Sequence, residues 1–191
     1  MKKQCSTLGC CGIDCGLCPR YYTDGASRCP GCCGDGFDLV HPPCGFVTCC
    51  VKKKELEVCA QCESFPCGKF DRETGEFDSF VTHRNVIPNQ EQIRKNGLSA
   101  FLAQQQQRID FLKHMLDDYD DGRSKSFYCL AAALLSADGL QYALTQAEQR
   151  SESEQIDSDN RRSKAKILRQ TLEDAARTEN TELQLRKKPK H

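Results

Sequence analysis

A chain of 191 residues has room for one compact domain or a small domain with appendages, and its 27 basic and 27 acidic side chains sum to zero formal charge. The hydrophobic class is 38% of the sequence but includes fifteen cysteines, so about 30% of conventional apolar residues remain, with no Trp and only two Met. That is lean for a self-sufficient core, and no stretch approaches eighteen apolar residues, which excludes a bilayer-spanning helix.

The chain opens MKKQCSTLGCCGIDCG. Two lysines followed by no apolar run of seven residues do not make a secretory signal, and TLGC lacks the hydrophobic region a lipoprotein signal needs. The expected compartment is the reducing cytoplasm, where a dense cysteine pattern points to metal rather than to disulfides.

Fourteen of the fifteen cysteines fall within the first 67 residues. The framework is Cys11-x3-Cys15-x2-Cys18, Cys29-x2-Cys32, Cys44-x4-Cys49, Cys59-x2-Cys62 and Cys67. Two residues between thiolates let one tight turn present both sulfurs to an ion at about 2.3 Å. Glycines beside these cysteines, as in Cys15-Gly16 and Pro30-Gly31-Cys32, suit backbone that must curl toward sulfur. Pro19 after Cys18 departs from an ideal knuckle because it has no N–H to donate.

Neighbouring thiolates seldom both reach one ion, so one member of each adjacent pair, Cys10-Cys11, Cys32-Cys33 and Cys49-Cys50, is expected to stand aside or serve a second site. Cys5 stands alone near a terminus expected to fray. His41 and His83 rank behind the cysteines as ligands. Ten framework cysteines exceed one four-coordinate ion and suffice for two, so the expected cofactor is zinc, about two ions. An iron–sulfur cluster is the alternative, since grouped thiolates and the Cys18-Pro19 step would serve it too. The first three cysteines also have the radical-SAM spacing, but helices follow where that class needs a long βα barrel.

Residues 1–70 are thus expected to form a small cysteine-rich, metal-stabilised module of loops and knuckles with little strand, the apolar pieces FDLV and GFVT being candidates for a small hairpin. An all-α region follows over 71–150. Pro88-Asn89 with Gln92 suggests a helix start and Asn96-Gly97 its stop. Leu98, Phe101, Leu102, Ile109, Leu112, Met115 and Leu116 recur at helical spacing to about Asp118, with the run Gln104 to Gln107 read as exposed surface. Phe127 to Leu135 make a shorter buried helix carrying Cys129, a small buried hydrophobe, and Ser136 caps another through about Glu148.

Residues 151–191 read as a charged, flexible or marginally helical tail. SESEQIDSDN has almost nothing to bury, and Ile167, Leu168, Thr171, Leu172 and Ala175 form a narrow stripe after it. From Arg161 to His191 ten side chains are basic and four acidic.

The order CGIDCGLCPRY, CPGC, Cys-x4-Cys and CAQCESFPCGKF resembles an uncharacterised cysteine-rich family of bacterial and archaeal proteins, a domain of unknown function to which zinc binding is ascribed. The resemblance continues through DSFVTHRNVIPNQEQIRKNGL and DDGRSKSFYCLAAALL and covers roughly residues 10–148. It implies metal ligation by Cys11, Cys15, Cys18, Cys29, Cys32, Cys44, Cys49, Cys59, Cys62 and Cys67, with Cys50 able to fill the Cys49 position. It assigns nothing to Cys5, Cys10 or Cys33, and it supplies no reaction.

The leading expectation is a structural metal-binding protein whose helical part offers a surface to a protein partner. The alternative is an iron–sulfur protein or a redox or metal-dependent enzyme, with His83 beside Arg84 as the candidate polar group of its helical half. Two four-thiolate zinc sites would make the N-terminal module acidic, which argues against nucleic acid as partner.

Overall fold

The computed structural model describes residues 3–73 and 77–188; the basic end beyond Lys188 lies outside the described residues. The chain divides into two compact units, one comprising Met1–Gln105 with Leu185–His191, the other Gln106–Gln184. The boundary between the two units lies near residue 105, inside a helix.

In the first unit the cysteine loops are built from single 3-10 turns, Cys15–Leu17, Pro19–Tyr22, Gly25–Ser27 and Cys59–Gln61, joined by irregular backbone. The expected hairpin is absent: among the described residues there is no strand. FDLV forms α1 (Phe37–Val40) and GFVT runs into a wide, π-type helix at Val47–Lys53. The reason is visible once Cys50 counts as apolar. Phe46, Val47, Cys50 and Val51 are all buried, and their spacing is that of a helical face.

Helices α2 (Phe70–Glu73) and α3 (Val86–Asn96) complete the unit together with the first turns of α4 (Leu98–Tyr119). Helix α3 begins three residues before the expected Asn89, because Pro88 sits within its first turn, where the N–H it lacks would have had no helical acceptor. Gly97, at φ 87°, ends it and donates its N–H to the Ile93 carbonyl.

Four cysteines, Cys10, Cys32, Cys50 and Cys59, are buried in the same cluster as Phe37, Phe46, Phe65 and Phe70, so thiol chemistry and apolar burial share one core. A second cluster joins Leu8, Val58 and Ala60 of the loops to Ile93 of α3 and Phe101 of α4.

Both ends of the first unit are tied down. Lys3, with its side chain fully buried, pairs with Glu57 at 3.0 Å. The amides of Gln4 and Cys5 donate to the same carboxylate at 2.9 and 2.8 Å, so Cys5 lies in an anchored segment rather than a frayed one. At the other end Arg186 and Asp78 exchange backbone and side-chain bonds at 2.8 to 3.2 Å.

The second unit contains the rest of α4 with α5 (Lys125–Leu134), α6 (Ala137–Ser153) and α7 (Arg161–Thr178). Of the expected stripe of α4, Phe101, Ile109, Leu112 and Met115 are buried, and Tyr119 joins them. Ser136 caps α6 by accepting from the Gly139 amide at 2.9 Å. Arg108 donates to the carbonyls of Ala132 and Leu135, satisfying the end of α5.

The segment expected to be flexible or marginally helical contains an eighteen-residue helix, capped by the Asn160 side chain. Leu168, Thr171, Leu172 and Ala175 of α7 are buried, and α7 packs along α6. Glu179, just past the end of α7, reaches back to the Ser136 amide at 2.9 Å, closing a helical hairpin. No helix among the described residues is long and apolar enough to cross a membrane.

Candidate metal centre

All fifteen cysteines are free, so no disulfide staples the loops. The ten framework cysteines come together at two cavities of the first unit. Cys11, Cys15, Cys18, Cys29, Cys32 and Cys44 line one of about 390 Å³. Cys49, Cys59, Cys62 and Cys67 line the other, of about 190 Å³, together with Cys50. Among the described residues no three His, Cys, Asp or Glu side chains already converge on a single ion-sized point.

Local backbone explains how sulfurs from distant loops meet. The turns Cys15–Leu17 and Cys59–Gln61 close through Cys18 N–H to Cys15 O and Cys62 N–H to Cys59 O, at 3.2 and 2.9 Å. Gly31, at φ 82°, lets the third CxxC pass so close to the Ser6 carbonyl that a Cβ would collide with it, and Cys32 donates to that carbonyl at 2.8 Å.

A buried layer of amide side chains then fixes these loops to the helices. Asp14, inside the Cys11–Cys15 spacing, accepts from Asn89 of α3 at 2.9 Å and from Gln105 of α4 at 2.8 Å. Asn89 also donates to the Gly12 carbonyl at 2.8 Å. Gln90, fully buried, donates to the Cys10 carbonyl at 2.9 Å and accepts from the Ala60 amide. Gln105 thus departs from the glutamine run read as exposed surface: it is 2% exposed, whereas Gln104, Gln106 and Gln107 face solvent.

The Tyr21 N–H donates to the Cys18 carbonyl at 2.9 Å, closing the turn that Pro19 begins. Burial pushes the Cys11 thiol up to about 12 and raises Cys18 as well. Cys15 is raised by burial and then by the charges of Cys32, Cys11, Cys18 and Cys29. In the smaller cavity the Lys54 ammonium lies 3.0 Å from the Cys62 sulfur and, with the Ser64 amide, lowers it.

Cys10 and Cys50, each one member of an adjacent pair, are both buried. Cys10, Cys32, Cys50 and Cys59 are each under a tenth exposed, and Cys10 N–H points at the Cys32 sulfur at 3.4 Å. The Cys10 thiol is raised by hydrogen bonds to Cys32, Cys50 and Cys59, while Cys32 and Cys50 are lowered chiefly by accepting from Cys10. The four side chains pack in one buried cluster that reaches from Cys32 of the larger cavity to Cys59 of the smaller one. Cys33 lies 4.0 Å from Cys32, Cys5 contacts Thr7 at 3.2 Å, and Cys129 is 1% exposed in α5.

His41 and His83 both line the larger cavity. The His41 ring stacks on Phe37 at 4.5 Å with Nδ1 2.7 Å from the Pro42 carbonyl, and His83 Nε2 lies 3.0 Å from Ser79 Oγ. Each therefore has one ring nitrogen engaged at the cavity wall.

No family model, curated protein or solved structure matches the chain.

Proposed function

We propose that this chain is a thiolate metal-binding protein with one centre in each cavity, and that the metal serves first to hold the N-terminal loops together. The observation that carries this reading is the distribution of the framework cysteines: ten residues spread over 57 positions line two cavities, six on one and four on the other. Thiols crowded in this way raise one another, as Cys15 shows, and a bound cation removes that penalty by taking the thiolates as ligands. The four-cysteine wall of Cys49, Cys59, Cys62 and Cys67 is a donor set that suits zinc. The second unit, with Tyr142 of α6 exposed, offers the interaction surface of such a protein.

Serine replacement tests the reading, because a serine oxygen is a poor zinc ligand at neutral pH. Cys15→Ser and Cys62→Ser, one in each cavity, each lower the bound metal of the full chain. Cys5→Ser and Cys129→Ser leave it unchanged. Metal lost on replacing Cys5 but retained on replacing both Cys15 and Cys62 contradicts the proposal.

A further inference from the structure

The two cavities differ in size, and size decides what their thiolates can enclose. A zinc ion with bonds of about 2.3 Å draws its four sulfurs nearly into contact. The larger cavity holds about 390 Å³ of open space, roughly twice the smaller one, with cysteines distributed around its wall. Cys11, Cys15, Cys18 and Cys29 are spread along the wall of the larger cavity, whereas Cys10, Cys32, Cys50 and Cys59 are packed together in the buried core.

We propose that the larger cavity is a site for a polynuclear iron–sulfur cluster, with Cys11, Cys15, Cys18 and Cys29 as its thiolate ligands. The inference rests on the thiolate-metal reading above and specifies the occupant of one of its two centres. A cluster places several atoms between its ligand sulfurs, so it uses volume that a single ion leaves empty.

Two features of the wall support the assignment. Phe37, Phe46, Val47 and Val86 are buried and close the cavity with apolar surface, which limits water at the cluster. Arg20 lines the same cavity, placing positive charge beside a group that carries net negative charge with four thiolates. Cys32 is buried with Cys10, Cys50 and Cys59, and the Cys10 N–H points at its sulfur at 3.4 Å, which sets it apart from the four ligands.

The test uses the full chain, purified anaerobically and incubated with equal amounts of ferrous and ferric iron and with sulfide, which together supply the atoms and the oxidation state of a four-iron cluster with no further oxidant. The expected product holds about four iron and about four acid-labile sulfide per chain and absorbs broadly near about 400 nm, bleaching with dithionite. Cys15→Ser and Cys29→Ser lose most of the sulfide and the absorption, while Cys5→Ser, which lines neither cavity, keeps both. Circular dichroism identifies a variant that fails to fold. The wild-type chain gives a second readout that no variant can confound, because cluster loading displaces zinc from the larger cavity. Zinc in both cavities that iron and sulfide fail to displace, with no sulfide retained, overturns this inference and leaves the thiolate-metal reading standing. A chain that holds neither zinc nor a cluster overturns both.

Discussion

Replacing Gln90 by Leu tests whether buried amides hold the cysteine loops on the helices. The side chain is fully buried, accepts from the Ala60 amide and donates to the Cys10 carbonyl at 2.9 Å. Leu fills similar volume, so the loss is polar. It orphans the Ala60 N–H at a cost of about 1–3 kcal/mol, whereas the Cys10 carbonyl keeps the Cys59 N–H at 2.8 Å and loses only the net value of one bond, about 1 kcal/mol. The sum is about 2–4 kcal/mol, a large part of the roughly 5–15 kcal/mol that holds a typical domain together. Urea denaturation of metal-loaded protein followed by circular dichroism reads this as a midpoint lowered by about 1–2 M for the cysteine-bearing unit. The exposed Gln107→Leu serves as control and shifts stability by less than about 0.5 kcal/mol. A Gln90→Leu loss under about 1 kcal/mol refutes the clamp.

Chelation of metal-loaded protein opens residues 5–67 to protease while most of the helical circular dichroism persists, because Gln106–Gln184 carries its own buried residues; complete loss of helix shows that the two units melt as one. Glu57→Ala leaves the Lys3 ammonium buried without its ion pair and destabilises the chain by about 3 kcal/mol, more than Glu57→Gln, as denaturation of the two variants measures. Burial works to raise the Asp78 carboxyl, but Arg186 and the amides of His83 and Arg186 overcome it and hold the group at about 2 against an ordinary 3.8. Its contribution is therefore fully present above about pH 4 and lost as pH falls toward about 2, and carboxyl NMR of Arg186→Ala shows Asp78 titrating nearer its ordinary value.

Helical periodicity was readable where a face is continuously apolar: Leu98 to Tyr119 and the Ser136 cap needed only local spacing. The cysteines were readable as a framework because CxxC is a local turn geometry. Their division between two cavities was not, since it depends on loops from Cys11 to Cys67 folding back on one another. Asn89, Gln90 and Gln105 were illegible for a different reason. A buried amide bonded to a loop carbonyl and an exposed amide bonded to water are the same letter, and only the partner tells them apart. Counting cysteine outside the apolar pattern hid the helix at Val47–Lys53 and the quartet around Cys10, because a buried thiol packs as a small hydrophobe before it acts as anything else. Helix α7 was marginal on propensity alone and is secured by packing on α6.

Native mass spectrometry of the anaerobically purified full chain, paired with thiol titration before and after chelation, bears most directly on the thiolate-metal centres. The account predicts a mass above that of the polypeptide by bound metal, with at least eight thiols protected from alkylation until a chelator is added, two sets of four. A folded chain at its bare polypeptide mass, whose framework cysteines alkylate as readily before chelation as after it, contradicts it.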